Sequence, residues 1–131
     1  MKVQTALLTS KALNWAVQAC EFKDLETNGS HIKEWAKSNH IAGTGYCLDY
    51  SADWACAGPI IERADIAFRK YHKPDSEQHG TYYAKVCRES GQIVQWSKRF
   101  DSLGPTALVA SMRCYVRSRL GDEVEVPDSF V

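Results

Sequence analysis

No charge of one sign dominates this chain. Its 16 basic and 16 acidic residues cancel, so the excess of Lys and Arg that a sequence-independent nucleic-acid binder uses to neutralise phosphates is missing. No apolar run approaches the ~20 residues of a membrane-spanning helix, and no membrane partner is expected. The first ten residues lack the charged-then-apolar pattern of a signal peptide. The five cysteines, Cys20, Cys47, Cys56, Cys87 and Cys114, are odd in number, widely spaced and without a Cys-x-x-Cys pair. That argues against a disulfide framework and for free, mostly buried thiols in a reducing cytoplasm. The four histidines do not combine with cysteines or carboxylates at ligand spacing, so neither a metal nor another cofactor is expected. The chain has no Gly-x-Ser-x-Gly elbow, His-Glu-x-x-His pair, Walker loop or dinucleotide-binding glycine turn. No catalytic residue is therefore assigned, and binding is favoured over catalysis.

What is present fits one domain over residues 1–131, with 122–131 as an extended acidic tail. The hydrophobic fraction is 44% and the charged fraction 24%, ordinary for a globular chain with its own core. Thr9 is placed to cap a first helix, and Leu8 to pack on Leu13 as a hydrophobic staple. Leu13, Ala16, Val17 and Cys20 then recur at helical spacing, and Asn28-Gly29 closes the element. From Ser30 to Asn39 the pattern fits a short helix, a strand or a loop alike. Tyr46 to Tyr50 reads as a short strand. Ser51 to Pro59 is too rich in small residues and breakers for regular structure, with Pro59 opening one helical turn over Ile60, Ile61 and Glu62.

Residues 67–72, 81–88 and 92–100 are rich in aromatic and β-branched types, which predicts the strands of an antiparallel meander. After Gly104-Pro105 comes a closing helix with Leu108, Val109, Met112, Val116 and Leu120 on one face. Gly121 stands just beyond its end, and Arg117 and Arg119 lie in its last turn. The expected fold is α+β: a small antiparallel sheet of about 3–5 strands flanked by an N-terminal and a C-terminal helix.

Three clusters are candidates for binding. Tyr50, Ser51, Asp53 and Trp54 place flat aromatic faces among polar groups, a combination suited to stacking on a base or sugar; alternatively, Trp54 plugs the core. Gly104 and Thr106 flank the start of the closing helix. There unpaired amides favour an anion, Gly104 leaves room for its approach and the Thr106 hydroxyl adds a donor; alternatively, this is an ordinary capped start. Arg113 and Arg117, four residues apart, form a clamp for phosphate or carboxylate, or a solvated face paired with acids. Together these segments are expected to fold around one shared pocket. Two other readings stay open. Asp49, Asp53 and Glu62, with His40 or His72 as base, would serve a hydrolase. An exposed patch around Trp35 or Trp96 would serve a protein partner.

A resemblance joins these segments. Ala12-Leu13-Asn14-Trp15-Ala16-Val17, Tyr50-Ser51-Ala52-Asp53-Trp54-Ala55 and Gly58-Pro59-Ile60-Ile61-Glu62-Arg63 form three blocks. A fourth runs from Gly104-Pro105-Thr106-Ala107-Leu108 through Met112-Arg113-Cys114-Tyr115-Val116 to Leu120-Gly121-Asp122-Glu123-Val124-Glu125-Val126-Pro127. This combination, nearly half of the chain, resembles the NinX-like proteins of bacteriophages and prophages, a domain family without a settled activity. The stretch from Phe68 to Asp101 matches poorly. Ala57 and Ala107 stand where many relatives carry glycine and proline.

The resemblance implies a phage or prophage gene product in the cytoplasm of a bacterial host. By analogy, small phage accessory proteins of this kind often counter host defence, by sequestering a nucleotide signal or by plugging a defence protein. The expected function is therefore a non-catalytic accessory protein, a homo-oligomer, that binds and sequesters a small anionic, nucleotide-derived ligand. The alternatives are a protein–protein inhibitor of a host defence or regulatory protein and a small phosphodiesterase.

Overall fold

The computed structural model describes residues 1–28, 48–70, 82–89, 92–93 and 102–130. Strand β1 (Lys2–Gln4) and a 3-10 turn (Thr5–Leu7) lead into helix α1 (Ser10–Asn28), followed by helix α2 (Trp54–Arg63). Strands β2 (Ile66–Lys70) and β3 (Tyr82–Val86) and the short pair β4 (Arg88–Glu89) and β5 (Gln92–Ile93) come next. Strand β6 (Ser102–Gly104), helix α3 (Ala107–Leu120), strand β7 (Glu123–Glu125) and a second 3-10 turn (Asp128–Phe130) complete the order. This is the α+β class that the sequence predicts, with helices from both ends flanking antiparallel sheet.

The main sheet has the order β2-β3-β6, antiparallel throughout. Its third strand differs from the predicted meander. β3 pairs with β6, from residues 102–104, whereas among the described residues Gln92–Ile93 pairs with Arg88–Glu89. Val94 and Trp96 of the predicted third strand lie outside the described residues. Register aligns Phe68 with Ala84 and Ala84 with Ser102. Directly paired residues share a face, so these three make one row.

Helix α3 packs across all three strands, and α1 and α2 pack on α3. Sandwiching explains its burial. From Ala107 to Val116 every residue except Val109 is buried, where the sequence pattern gives only one apolar face. A helix covered on all sides needs small or apolar residues around its circumference. Ala107, Ala110, Ser111 and Cys114 supply them opposite the Leu108–Met112–Val116 stripe. Each fully buried Leu, Met or Val contributes roughly 1.5–3 kcal/mol. Glu21 of α1 ties the layers together, accepting from Arg63 of α2 and, at 3.1 Å, from the Tyr115 hydroxyl of α3.

Helix α1 bears out the predicted stripe, since Leu8, Leu13, Ala16, Val17 and Cys20 are fully buried. Two other predictions are corrected. Residues 48–50 are not a strand, and the small-residue segment is regular: it forms α2, with Asp53 accepting from the Ala55 amide at 2.9 Å as N-cap. Ala55 and Ala57 favour helix intrinsically, and the cap adds to them. Pro59 within α2 withholds one amide without stopping the helix.

The acidic tail is also woven into the fold. β7 pairs with β1 in the register Lys2↔Glu125, Val3↔Val124 and Gln4↔Glu123, and Val124 and Val126 are buried. Among the described residues Cys20, Cys56, Cys87 and Cys114 form no disulfide, and Cys20 and Cys114 are buried. Among the described residues no helix is long and apolar enough to cross a membrane.

Candidate functional site

Gly104 ends β6 hard against α3. A Cβ there would lie 2.6 Å from the Ala110 nitrogen and 3.0 Å from its Cα. The missing side chain therefore makes room for helix backbone, not for an anion as the sequence suggests. Pro105 then turns the chain, and Thr106 caps α3 by accepting from the Val109 amide at 3.1 Å. The Thr106 hydroxyl thus serves the helix.

Between β6, the Thr5–Leu7 turn and α3 opens a cleft of about 480 Å³. Ser102, Leu103, Gly104 and Pro105 line it on the strand side, and Ala6 of the turn also lines it. Arg113 and Arg117 project from α3 as the other wall. Among the described residues the cleft lining holds two cations and no acid.

Arg113 is 9% exposed. Its Nε donates to the Leu8 carbonyl and its Nη1 to the Leu103 carbonyl, each at 2.8 Å. Among the described residues no carboxylate pairs with it. Burial lowers its pKa, yet a guanidinium stays charged at neutral pH. A nearly sequestered positive charge therefore stands on the cleft wall, held among the described residues by two main-chain carbonyls. Arg117 is more open, and its Nε donates to Asp122 Oδ1 at 2.7 Å. Ser102 is 5% exposed, and its Oγ has no hydrogen-bond partner among the described residues.

The second predicted cluster sits elsewhere. Asn14 and Gln18, one turn apart on α1, hold the 48–53 segment. The Ser51 amide donates to Asn14 Oδ1 at 2.9 Å, Asn14 Nδ2 donates to Asp49 Oδ1 at 3.0 Å, and the Tyr50 hydroxyl donates to Gln18 Oε1 at 2.9 Å. Tyr50 is buried in the core, which corrects its expected part as a stacking surface. The Ser51 hydroxyl donates to Asp49 and Asp53 caps α2, so both serve local structure. Trp54, by contrast, is not a core plug. It is 52% exposed and lies tilted against Phe68, with ring centroids 5.6 Å apart.

These positions divide the pocket expected from the sequence. Trp54 leans on Phe68 of β2, at one end of the row Phe68–Ala84–Ser102, while the cleft is at the other end. Two strand spacings, about 10 Å, and the buried Ala84 separate them. Gly104, Arg113 and Arg117 come together; Tyr50, Ser51, Asp53 and Trp54 are not among the cleft's lining residues. Ser102, Phe68 and Asp122 were missed as participants. Strand pairing and helix packing place them, and no local motif marks them. Asp49 and Asp53 are engaged in hydrogen bonds and Glu62 is exposed. His40, His72, Trp35 and Trp96 lie outside the described residues.

The family model described as Bacteriophage P22, NinX matches residues 4–119, which include every residue lining the cleft. No curated protein matches the chain.

Proposed function

The chain belongs to the NinX family of bacteriophage P22, and from that premise we propose a non-catalytic phage protein that sequesters a small anionic, nucleotide-derived ligand in the β6–α3 cleft. The single observation that supports this most is the Arg113 guanidinium, buried beside the cleft without a carboxylate partner among the described residues. A buried charge costs free energy unless something offsets it, and an anion entering the cleft would do so. The cleft volume of about 480 Å³ falls within the roughly 300–1,000 Å³ typical of small-molecule sites. Membership of a phage family, together with this cleft chemistry, supports reading the ligand as a host defence signal sequestered in the bacterial cytoplasm.

The test is to expose the purified protein to extract from defence-active cells, denature it and identify what is released. Intact nucleotide-like anion from the wild type, reduced at least tenfold with Arg117→Ala, is the expected result. A chemically altered ligand would indicate catalysis instead, and no released ligand would overturn the proposal.

One observation favours a second reading, inhibition of a host protein. Trp54 and Phe68 are 52% and 37% exposed, and paired aromatics on a surface are typical anchors of protein interfaces. A stoichiometric host protein recovered by wild type but not by Trp54→Ala would support that reading.

A further inference from the structure

We propose that the outer edge of β2 docks an extended, acidic segment of a partner protein, which joins the main sheet as a further strand beside the Trp54–Phe68 pair. This site is separate from the β6–α3 cleft. It rests on the protein-partner reading above and gives that reading a mode of binding.

Four consecutive residues of β2, Ala67, Phe68, Arg69 and Lys70, are exposed, so the strand is open on both of its faces. Among the described residues β2 is the outer strand of its sheet, and neither Arg69 nor Lys70 has an ion-pair partner. The main-chain bonding pattern adds direction. The Cys87 amide donates to the Asp65 carbonyl at 2.8 Å, straight across in the register that pairs Ile66 with Val86. Bonded and non-bonded pairs alternate along an antiparallel ladder. Ala67 and Arg69 therefore turn their amide and carbonyl toward β3, whereas Phe68 and Lys70 turn theirs away from it. Such outward groups are a template for strand addition.

The side chains select the occupant. Phe68 and Lys70 belong to the sheet face that packs on α3, where Trp54 leans on Phe68, and Arg69 belongs to the opposite face. A flat surface or a run of stacked bases meets one face at a time; a strand along the edge meets both. The sequence of β2, Ile-Ala-Phe-Arg-Lys, has cations and no acid. Pairing with a second copy would double the cations in one ladder without adding an acid, and like charges there repel. An antiparallel partner with an apolar residue opposite Phe68 and acids opposite Arg69 and Lys70 satisfies all three positions. Read from its own N-terminus, that segment runs acid, acid, apolar.

The experiment titrates the full chain with the end-capped peptide Thr-Val-Thr-Glu-Glu-Val-Thr-Val and with an analogue carrying Lys-Lys in place of Glu-Glu. Both titrations are repeated with the double variant Arg69→Glu, Lys70→Glu. Wild type should bind the acidic peptide at least tenfold more tightly than the basic one, and the double variant should reverse that order. Hydrogen exchange at the Phe68 and Lys70 amides should slow when the acidic peptide binds, while the Ala67 and Arg69 amides, already bonded to β3, keep their rates. No binding, equal affinity for the two peptides, or binding without slowed exchange at Phe68 and Lys70 overturns the strand-edge inference. If wild type still recovers a stoichiometric host protein that Trp54→Ala loses, the protein-partner reading survives that failure; if it recovers none, both fall. A dimer that the double variant dissolves would give the edge to a second copy. Tighter binding of single-stranded oligothymidylate than of the acidic peptide would give it to nucleic acid. Either result also overturns the inference.

Discussion

The Arg113 Nε and the carbonyl of Leu8, 105 residues apart in sequence, meet at 2.8 Å. With its second bond to the Leu103 carbonyl, this guanidinium joins the entry to α1, the end of β6 and the middle of α3. The residue proposed to attract the ligand is therefore also a cross-link of the fold. Arg113→Ala is expected to lower stability by about 2–3 kcal/mol, because it leaves two carbonyls without their donor. Arg113→Lys should recover only part of that, since an ammonium on a flexible stem cannot reproduce the fork. Urea unfolding monitored by circular dichroism measures both; a loss under 0.5 kcal/mol for Arg113→Ala would contradict the cross-link.

Gly104 and Gly58 should respond to alanine with opposite signs. A methyl at Gly104 meets the Ala110 backbone at 2.6 Å, which no rotamer change relieves, so Gly104→Ala should cost about 1–3 kcal/mol. At Gly58, inside α2, nothing lies within 4 Å of the added Cβ. Alanine there should stabilise by about 0.5–1 kcal/mol through helix propensity. Comparing the two urea midpoints is sufficient, and equal shifts would refute the packing described for β6.

How far the sequence reveals this molecule depends on whether a signal is local. The α1 stripe, the Gly121 terminus of α3 and the antiparallel β2–β3 pair follow from periodicity and turn chemistry. β6 escapes because Ser-Leu-Gly, followed directly by Pro105, carries no alternation; its place is set by pairing with β3. Tyr50 illustrates the other limit. Its residue type and its motif suit stacking, but Gln18 and α1 draw it inward, and only the tertiary partner decides that. For the same reason Arg113 and Arg117 were legible as a pair, whereas Ser102 beside them was not.

Asn14 gives the family's first two sequence blocks a structural purpose. Its side-chain amide accepts from the Ser51 amide and donates to Asp49, so one residue of the α1 block fixes the turn of the next. Asn14→Ala should cost about 1–2 kcal/mol, from an orphaned main-chain donor and a lost side-chain bond. Hydrogen exchange at the Ser51 amide, compared with wild type, localises the effect. Unchanged protection there would show that α1 does not hold the turn.

The Cys56 thiol offers a test that depends on pH. Its pKa is raised, first by burial and then by the hydrogen bond and charge of Asp53, whose Oδ2 lies 3.5 Å from Sγ. A raised thiol pKa means less thiolate at a given pH, and the thiolate is the species that alkylates. The sign for stability is the same: the folded state keeps its proton longer, so the benefit is complete below the ordinary thiol range and declines as pH rises through it. Cys56 should therefore react with iodoacetamide more slowly than a free cysteine at pH 8. Asp53→Asn should speed that reaction severalfold, because asparagine still caps α2 but removes the carboxylate charge. Mass spectrometry of the peptide containing Cys56 over a time course reads the rate directly. Equal rates in wild type and Asp53→Asn would mean that the carboxylate does not control the thiol.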